Sequence, residues 1–209
     1  ADLRQMCNRA RKRHGLVVRE VEDVEDRRRW MEVYDRWLLA RPKGREMRLL
    51  VGRPGMDEGL GKRYFAALDE RTLKVAAAIS ITPGWNGAGW GVDVMARDPE
   101  GPAGAMDLLI AETISVLRDE GRESFSLGAS PMAIPAGIEF WGPWHLRRFY
   151  KFLFSSSFGR SLFGFHSLFN YKAKFAPAWM PIFLGGWPSL GYWGLYVGAR
   201  MWGMFGSSR

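Results

Sequence analysis

Residues 90–109 read Trp90-Gly-Val-Asp-Val-Met-Ala-Arg-Asp-Pro-Glu-Gly-Pro-Ala-Gly-Ala-Met-Asp-Leu-Leu109, and the order of signals in this stretch decides the class of fold. Trp90 to Met95 has the composition of a strand, and Pro99, Gly101, Pro102 and Gly104 then interrupt it. From about Ala105 to Glu120 the residues Met106, Ile110, Thr113, Ile114 and Leu117 recur on one helical face, with Gly121 as the stop. A strand that feeds a helix through a glycine loop is a unit of α/β domains.

Working outward gives the same answer. Residues 3–14 predict a short basic helix closed by Gly15, and Leu16 to Val21 alternates as a strand. Residues 24–40 predict an amphipathic helix with Trp30, Val33, Trp37 and Leu38 on one face. Tyr64 to Asp69 and Val75 to Thr82 read as strands split by a turn at Asp69-Glu-Arg71, Pro83 to Gly87 as a loop, and Ser124 to Leu127 as a further strand. The expected fold is therefore α/β (α+β). Beyond residue 128 the aromatic density hides the periodicity; His145 to Phe154 suits a helix and Phe165 to Phe175 is expected to contain a strand.

The charge is divided unevenly. The chain carries a net charge of +8, yet all 22 of its acids precede residue 140. The last third holds Arg147, Arg148, Lys151, Arg160, Lys172, Lys174, Arg200 and Arg209 among six tryptophans and many Phe and Tyr residues. Basic and aromatic side chains interleaved in this way suit a phosphate-rich partner, either nucleic acid or a membrane surface. Ile182 to Ala199 is uncharged, but Gly185, Gly186, Pro188, Gly191 and Gly194 argue against a spanning helix. The alternatives are an interfacial helix, with Trp193, Val197 and Met201 on one face and Tyr192, Tyr196 and Trp202 as anchors, or a C-terminal core helix. The expected division is a domain over 1–184 and an aromatic interfacial segment over 185–209. The N-terminal bases are not followed by an apolar stretch, so residues 1–15 are not a secretory signal.

Three groups of residues suit chemistry. Gly101, Gly104 and Ala105 stand between strand and helix, where backbone N–H groups can hold a phosphate or a developing oxyanion. Asp93 lies in an apolar strand just before that loop, either paired with Arg97 or another base, or poised in a site. Because no acid follows Glu139, a working carboxylate must come from the first two-thirds of the chain. If Tyr171 to Phe175 is extended, Lys172 and Lys174 share a face and suit an anion between them. His166 is a candidate base. The single cysteine, Cys7, excludes an internal disulfide, and His14, His145 and His166 have no ligand spacing, so no metal is expected.

The ordered motifs Gly91-Val-Asp93-Val-Met, Phe125-Ser-Leu-Gly128-Ala-Ser-Pro131 and Tyr171-Lys-Ala-Lys-Phe175-Ala-Pro-Ala-Trp179 resemble the catalytic region of aminoacyl-phosphatidylglycerol synthases, the multiple peptide resistance factor enzymes, and of the fungal enzymes that aminoacylate sterols. Asn8-Arg9-Ala-Arg11 and Val51-Gly52-Arg53 also match. The resemblance implies an N-acetyltransferase-like fold, the second half of a tandem pair whose first half precedes this chain. It implies transfer of an amino acid from aminoacyl-tRNA to a membrane lipid, phosphatidylglycerol or a sterol, at the cytoplasmic face of a membrane and without a cofactor. Asp93, Arg97 and Lys172 would be catalytic; Gly101, Gly104, Ala105, Lys174, Tyr171, His166 and Arg53 would bind substrate. Two positions depart from the bacterial pattern: Ala96 and Phe169 stand where those enzymes tend to have Arg, which brings the apolar sterol into competition as acceptor. An acyl-CoA-dependent N-acetyltransferase, or a non-catalytic tRNA- or membrane-binding module, are the other readings of the same residues.

Overall fold

The computed structural model describes residues 2–40, 61–84, 89–131, 133, 135, 137–139, 142–156, 165–187 and 191–201. They divide into two compact units, Ala1–Ser126 with Gly186–Arg209, and Leu127–Gly185.

In the first unit a helix, α1 (Leu3–His14), precedes strand β1 (Leu16–Glu20) and helix α2 (Val24–Leu39). Strands β2 (Arg63–Asp69), β3 (Val75–Pro83) and β4 (Gly89–Arg97) follow, then helix α3 (Ala105–Asp119) and strand β5 (Ser124–Ser126). The sheet order is sequential; β1 to β4 are antiparallel, and α3 carries the chain over so that β5 lies parallel to β4. Local chemistry sets the helix ends. Asp23 accepts a hydrogen bond from the Asp26 N–H at 2.7 Å and caps α2. Gly15, at φ +59°, closes α1 with its N–H on the Ala10 carbonyl.

Alternation in the strands builds two apolar faces. On one, Trp30, Val33 and Tyr34 of α2 pack on Tyr64, Ala66, Leu68, Ala78, Val94 and Ala96. The Trp30 indole donates to the Phe65 and Ile79 carbonyls, both at 3.2 Å, so its polar edge is satisfied inside the core. On the other face Phe65, Ala67, Ala77 and Ile79 are buried, and α3 covers β1 to β3 with Leu108, Leu109, Ile110 and Leu117.

The second unit packs helix α4 (Trp144–Ser155) against helix α5 (Phe165–Ala173) through Phe154, whose ring meets His166 at 5.3 Å and Phe169 at 5.8 Å. Phe169 stacks in turn on Trp179 at 4.8 Å. The strand expected within 165–175 is a helix. Phe165, Phe169 and Lys172 recur at helical spacing, and hydrogen bonds from the Phe175 and Ala176 N–H groups to Lys172 and Ala173 turn the chain out of it. The last helix, α6 (Tyr192–Met201), has no buried residue, which is not the burial of a core helix. No helix among the described residues is long and apolar enough to cross a membrane.

Candidate active site

The register of β3 and β4 skips one residue: Ser80 faces Val94 and Ile81 faces Val92, so Asp93 is the extra residue of a β-bulge. A bulge re-aims the side chain it carries. Here the Asp93 carboxylate is brought to Lys62, whose Nζ donates to Oδ2 at 3.0 Å, and to Ser80, whose hydroxyl donates to the same oxygen at 3.1 Å. The Lys62 side chain is 5% exposed and that of Asp93 14%, so the pair is nearly withdrawn from water. The partner of Asp93 is therefore Lys62; Arg97, at the exposed end of β4, has no ion pair among the described residues. Lys62 carries no sequence signal beyond preceding a strand. Ser80 does carry one, as a hydroxyl inside the apolar run Ala76-Ala-Ala-Ile-Ser-Ile81.

The glycine loop folds back on itself. Asp98 is buried, takes Arg36 at 2.9 Å on Oδ2 and the Glu100 N–H at 3.1 Å on Oδ1, and its carbonyl accepts from the Gly101 N–H at 2.9 Å. The Ala105 N–H donates to the Pro102 carbonyl at 3.3 Å. Gly101 and Ala105 thus have their amides engaged within the turn and offer none to a substrate oxygen in this conformation, contrary to the backbone-donor role expected of them. Their smallness has another cause. A Cβ on Gly101 would stand 2.9 Å from the Ala76 carbonyl oxygen, and one on Gly104, at φ +89°, 2.5 Å from that of Met6. Close approach of loop to β3 and α1 is what these glycines permit.

In the second unit two motifs more than forty residues apart meet at one atom. The Lys172 ammonium is buried and donates to the carbonyls of Gly128 at 2.9 Å and Ala129 at 2.6 Å. No carboxylate pairs with it among the described residues, and burial pushes its pKa down to about 8. Lys174, in the turn just past the end of α5, is exposed and lies 5.0 Å from the centroid of the Tyr171 ring. The expected shared face of the two lysines required an extended segment, whereas Lys172 lies in the last turn of α5 and Lys174 in the turn that follows it. The His166 Nδ1 lies 3.0 Å from the Asn170 amide nitrogen, one turn along α5. Arg53 lies outside the described residues. Of the two departures from the bacterial pattern, Ala96 is fully buried in the cluster under α2, and Phe169 belongs to the stack with Trp179. Cys7 is half-buried, and burial together with Asp107 raises its pKa, which makes it a poor nucleophile.

The profile of the family described as phosphatidylglycerol lysyltransferase, C-terminal, matches residues 1–185. Over 188 residues the chain is 28% identical to the lysylphosphatidylglycerol biosynthesis bifunctional protein LysX of Mycobacterium marinum, covering 86% of this chain and 16% of that protein. It is 28% identical over 120 residues to the phosphatidylglycerol lysyltransferase of Bacillus subtilis, covering 57% of this chain and 14% of that one. Among solved structures, a C-terminal domain from Agrobacterium fabrum named for a lysylphosphatidylglycerol synthetase superposes with a TM-score of 0.65 at 28% identity, over 87% of this chain and 52% of the other. The structure of L-PGS from Bacillus licheniformis gives 0.61 at 23% identity over 86% and 52%, a likeness of fold. The chain thus spans about half the length of these solved chains and about a sixth or less of these curated relatives. The fold is the N-acetyltransferase-like α/β arrangement expected from the sequence.

Proposed function

This chain belongs to the family of phosphatidylglycerol lysyltransferase C-terminal domains, and from that membership we propose that it passes an amino acid from aminoacyl-tRNA to a hydroxyl of phosphatidylglycerol. Lysine is the amino acid that the names of its relatives carry. The observation that carries the reading is Lys172, buried with no carboxylate partner among the described residues and held by the carbonyls of Gly128 and Ala129. A lysine with a pKa of about 8 is neutral in roughly a tenth of molecules near pH 7, enough to act as a proton acceptor and then a donor.

In the proposed step the lipid hydroxyl oxygen attacks the ester carbonyl carbon of the aminoacyl group. A new C–O bond to the lipid forms and the C–O bond to the terminal ribose of tRNA breaks. The proton leaves the lipid hydroxyl and ends on the released ribose oxygen, with Lys172 carrying it. The ester is already activated, so the exchange needs no cofactor. Asp93 would supply a carboxylate to the reaction, its orientation fixed within the first unit by Lys62 and Ser80. Lys174, Tyr171, His166 and Arg53 would contact the tRNA end or the headgroup, and Arg97 would take part in the transfer. The 52% coverage of the solved chains supports a tandem architecture in which this chain is the second acetyltransferase-like half. A reaction that draws on aminoacyl-tRNA and a membrane lipid would take place at the cytoplasmic face of a membrane.

The test is incubation of the chain with radiolabelled lysyl-tRNA and phosphatidylglycerol in detergent micelles, with other charged tRNAs and with ergosterol as separate arms. Label in phosphatidylglycerol is the expected result, and label in ergosterol would reassign the acceptor. No labelled lipid from any charged tRNA, together with calorimetric binding of acetyl-CoA, would replace this reading by an acyl-CoA-dependent one.

A further inference from the structure

Helix α4 turns two different faces outward and inward. Leu146, Tyr150, Leu153 and Phe154, spaced i, i+4, i+7 and i+8, form the covered side, with Leu146 buried and the other three half-buried. Burial raises the Tyr150 pKa, consistent with that side. Trp144, Arg148, Lys151 and Phe152, spaced i, i+4, i+7 and i+8, form the opposite side, and all are exposed, Trp144 by 72% and Phe152 by 55%. Arg147 is exposed beside them. The solvent face of a helix in a globular protein is ordinarily polar; this one places a tryptophan and a phenylalanine among three cations and no acid. In the same unit Met180, Ile182, Phe183 and Leu184 form a second exposed apolar run, by 80%, 77%, 67% and 49%.

We propose that the outer face of α4 docks this unit onto an anionic phospholipid bilayer, with Trp144 and Phe152 entering the headgroup region and Arg147, Arg148 and Lys151 on lipid phosphates. Two features select a lipid surface over a protein partner. Lysine is depleted in protein interfaces, and exposed Trp and Phe on a helix whose charges are all Lys and Arg are the composition of helices that lie at a membrane surface. The charge is also one-sided: no acid follows Glu139 in the sequence, so nothing later in the chain neutralises these bases, and a negatively charged surface is their complement. Under the reaction proposed above, each turnover replaces an anionic lipid by an uncharged or cationic one. Docking through α4 is then self-limiting, because product weakens the field that holds the domain.

The experiment is co-sedimentation of the full chain with vesicles of phosphatidylcholine and phosphatidic acid, which supply negative charge without the glycerol acceptor hydroxyl. Wild-type protein is expected to bind these vesicles and not phosphatidylcholine alone, and to be released when a synthetic cationic lipid reverses the vesicle charge. The R147A/R148A/K151A variant should bind about 100-fold more weakly. The W144S/F152S variant should also lose binding while keeping its circular dichroism spectrum. Wild-type binding in the triple variant, binding to cationic vesicles, or a chain that ignores phosphatidic acid and instead forms dimers that W144S/F152S abolishes would each overturn the proposal. The micelle transfer assay keeps the two readings apart, since docking with no transfer sinks only the reaction, and transfer with no docking sinks only this surface.

Discussion

The ammonium of Lys62 and the carboxylate of Asp93 meet at 3.0 Å in a nearly dry part of the first unit, one at the threshold of β2 and the other in the bulge of β4. Removing one member of such a pair strands the other charge. K62A is therefore expected to lower stability by about 3 kcal/mol, seen as a fall in the urea midpoint. K62M/D93L should cost less than the two single changes added together, because it leaves no unpaired charge. D93N keeps the shape and an acceptor for both donors but leaves the Lys62 ammonium without its counter-charge; it should lower the urea midpoint in the same direction as K62A and, assayed where it is still folded, reduce transfer at least tenfold. Full transfer by D93N would remove Asp93 from the site.

Lys172 makes the reaction and the stability pH-dependent in defined directions. Its folded-state pKa of about 8 lies below the ordinary 10.5, so the unfolded chain holds the proton more tightly. The cost of burying the charged form is present in full below about pH 8 and is relieved as pH rises from about 8 to 10.5. Relative to K172M, the wild type should gain about 2–3 kcal/mol across that window in urea titrations. In transfer assays kcat/KM should rise with pH and level off near 8, and K172R, which keeps the charge but not the titration, should be inactive.

Gly104 and Gly121 flank α3 and both have positive φ, +89° and +74°, but only Gly104 lies against another backbone. G121A is expected to cost about 1 kcal/mol, the strain of a left-handed alanine. G104A adds a Cβ 2.5 Å from the Met6 carbonyl oxygen and should cost about 3 kcal/mol in thermal or urea unfolding. Equal costs would show that α1 yields freely to the added methyl.

Arg63 joins three elements. Its guanidinium grips Glu20 at 2.6 and 2.7 Å and Glu120 at 2.7 Å through both oxygens, and lies 5.2 Å from the Phe65 ring centroid and 5.3 Å from that of Trp90. R63K should lose the fork geometry and about 1–2 kcal/mol, despite keeping its charge. Arg63 holds the Glu120 carboxyl below its ordinary range, so this contribution is present above the ordinary pKa and is lost as pH falls through the lowered one. The R63K deficit measured at about pH 7 should therefore shrink as pH falls below the ordinary carboxylate range.

The elements of the first unit were legible because each carries its own local physics. Trp30, Val33 and Trp37 repeat at helical spacing, the glycines stand where α1 and α3 end or begin, and β2 to β4 are short apolar runs between turn residues. Helix α5 was not legible, since Phe165, Phe169, Tyr171 and Phe175 are apolar at every spacing and suit a strand or a helix equally. Its packing on Phe154 and Trp179 settled the matter. The site divides along the same line. Residue type and order singled out Asp93, because a carboxylate in an apolar strand is costly to bury, and Lys172 as one of a pair with Lys174 in a segment expected to be extended. Which groups offset that cost is a matter of distance in space: a one-residue bulge brings Asp93 to Lys62 and Ser80, and the helical turn of α5 sends Lys172 to the carbonyls of Gly128 and Ala129 while Lys174 goes elsewhere. Local periodicity and turn chemistry were enough to name the elements and the charged residues among them, whereas a hydrogen bond between residues 31 or 44 positions apart exists only once the backbone has brought them within 3 Å.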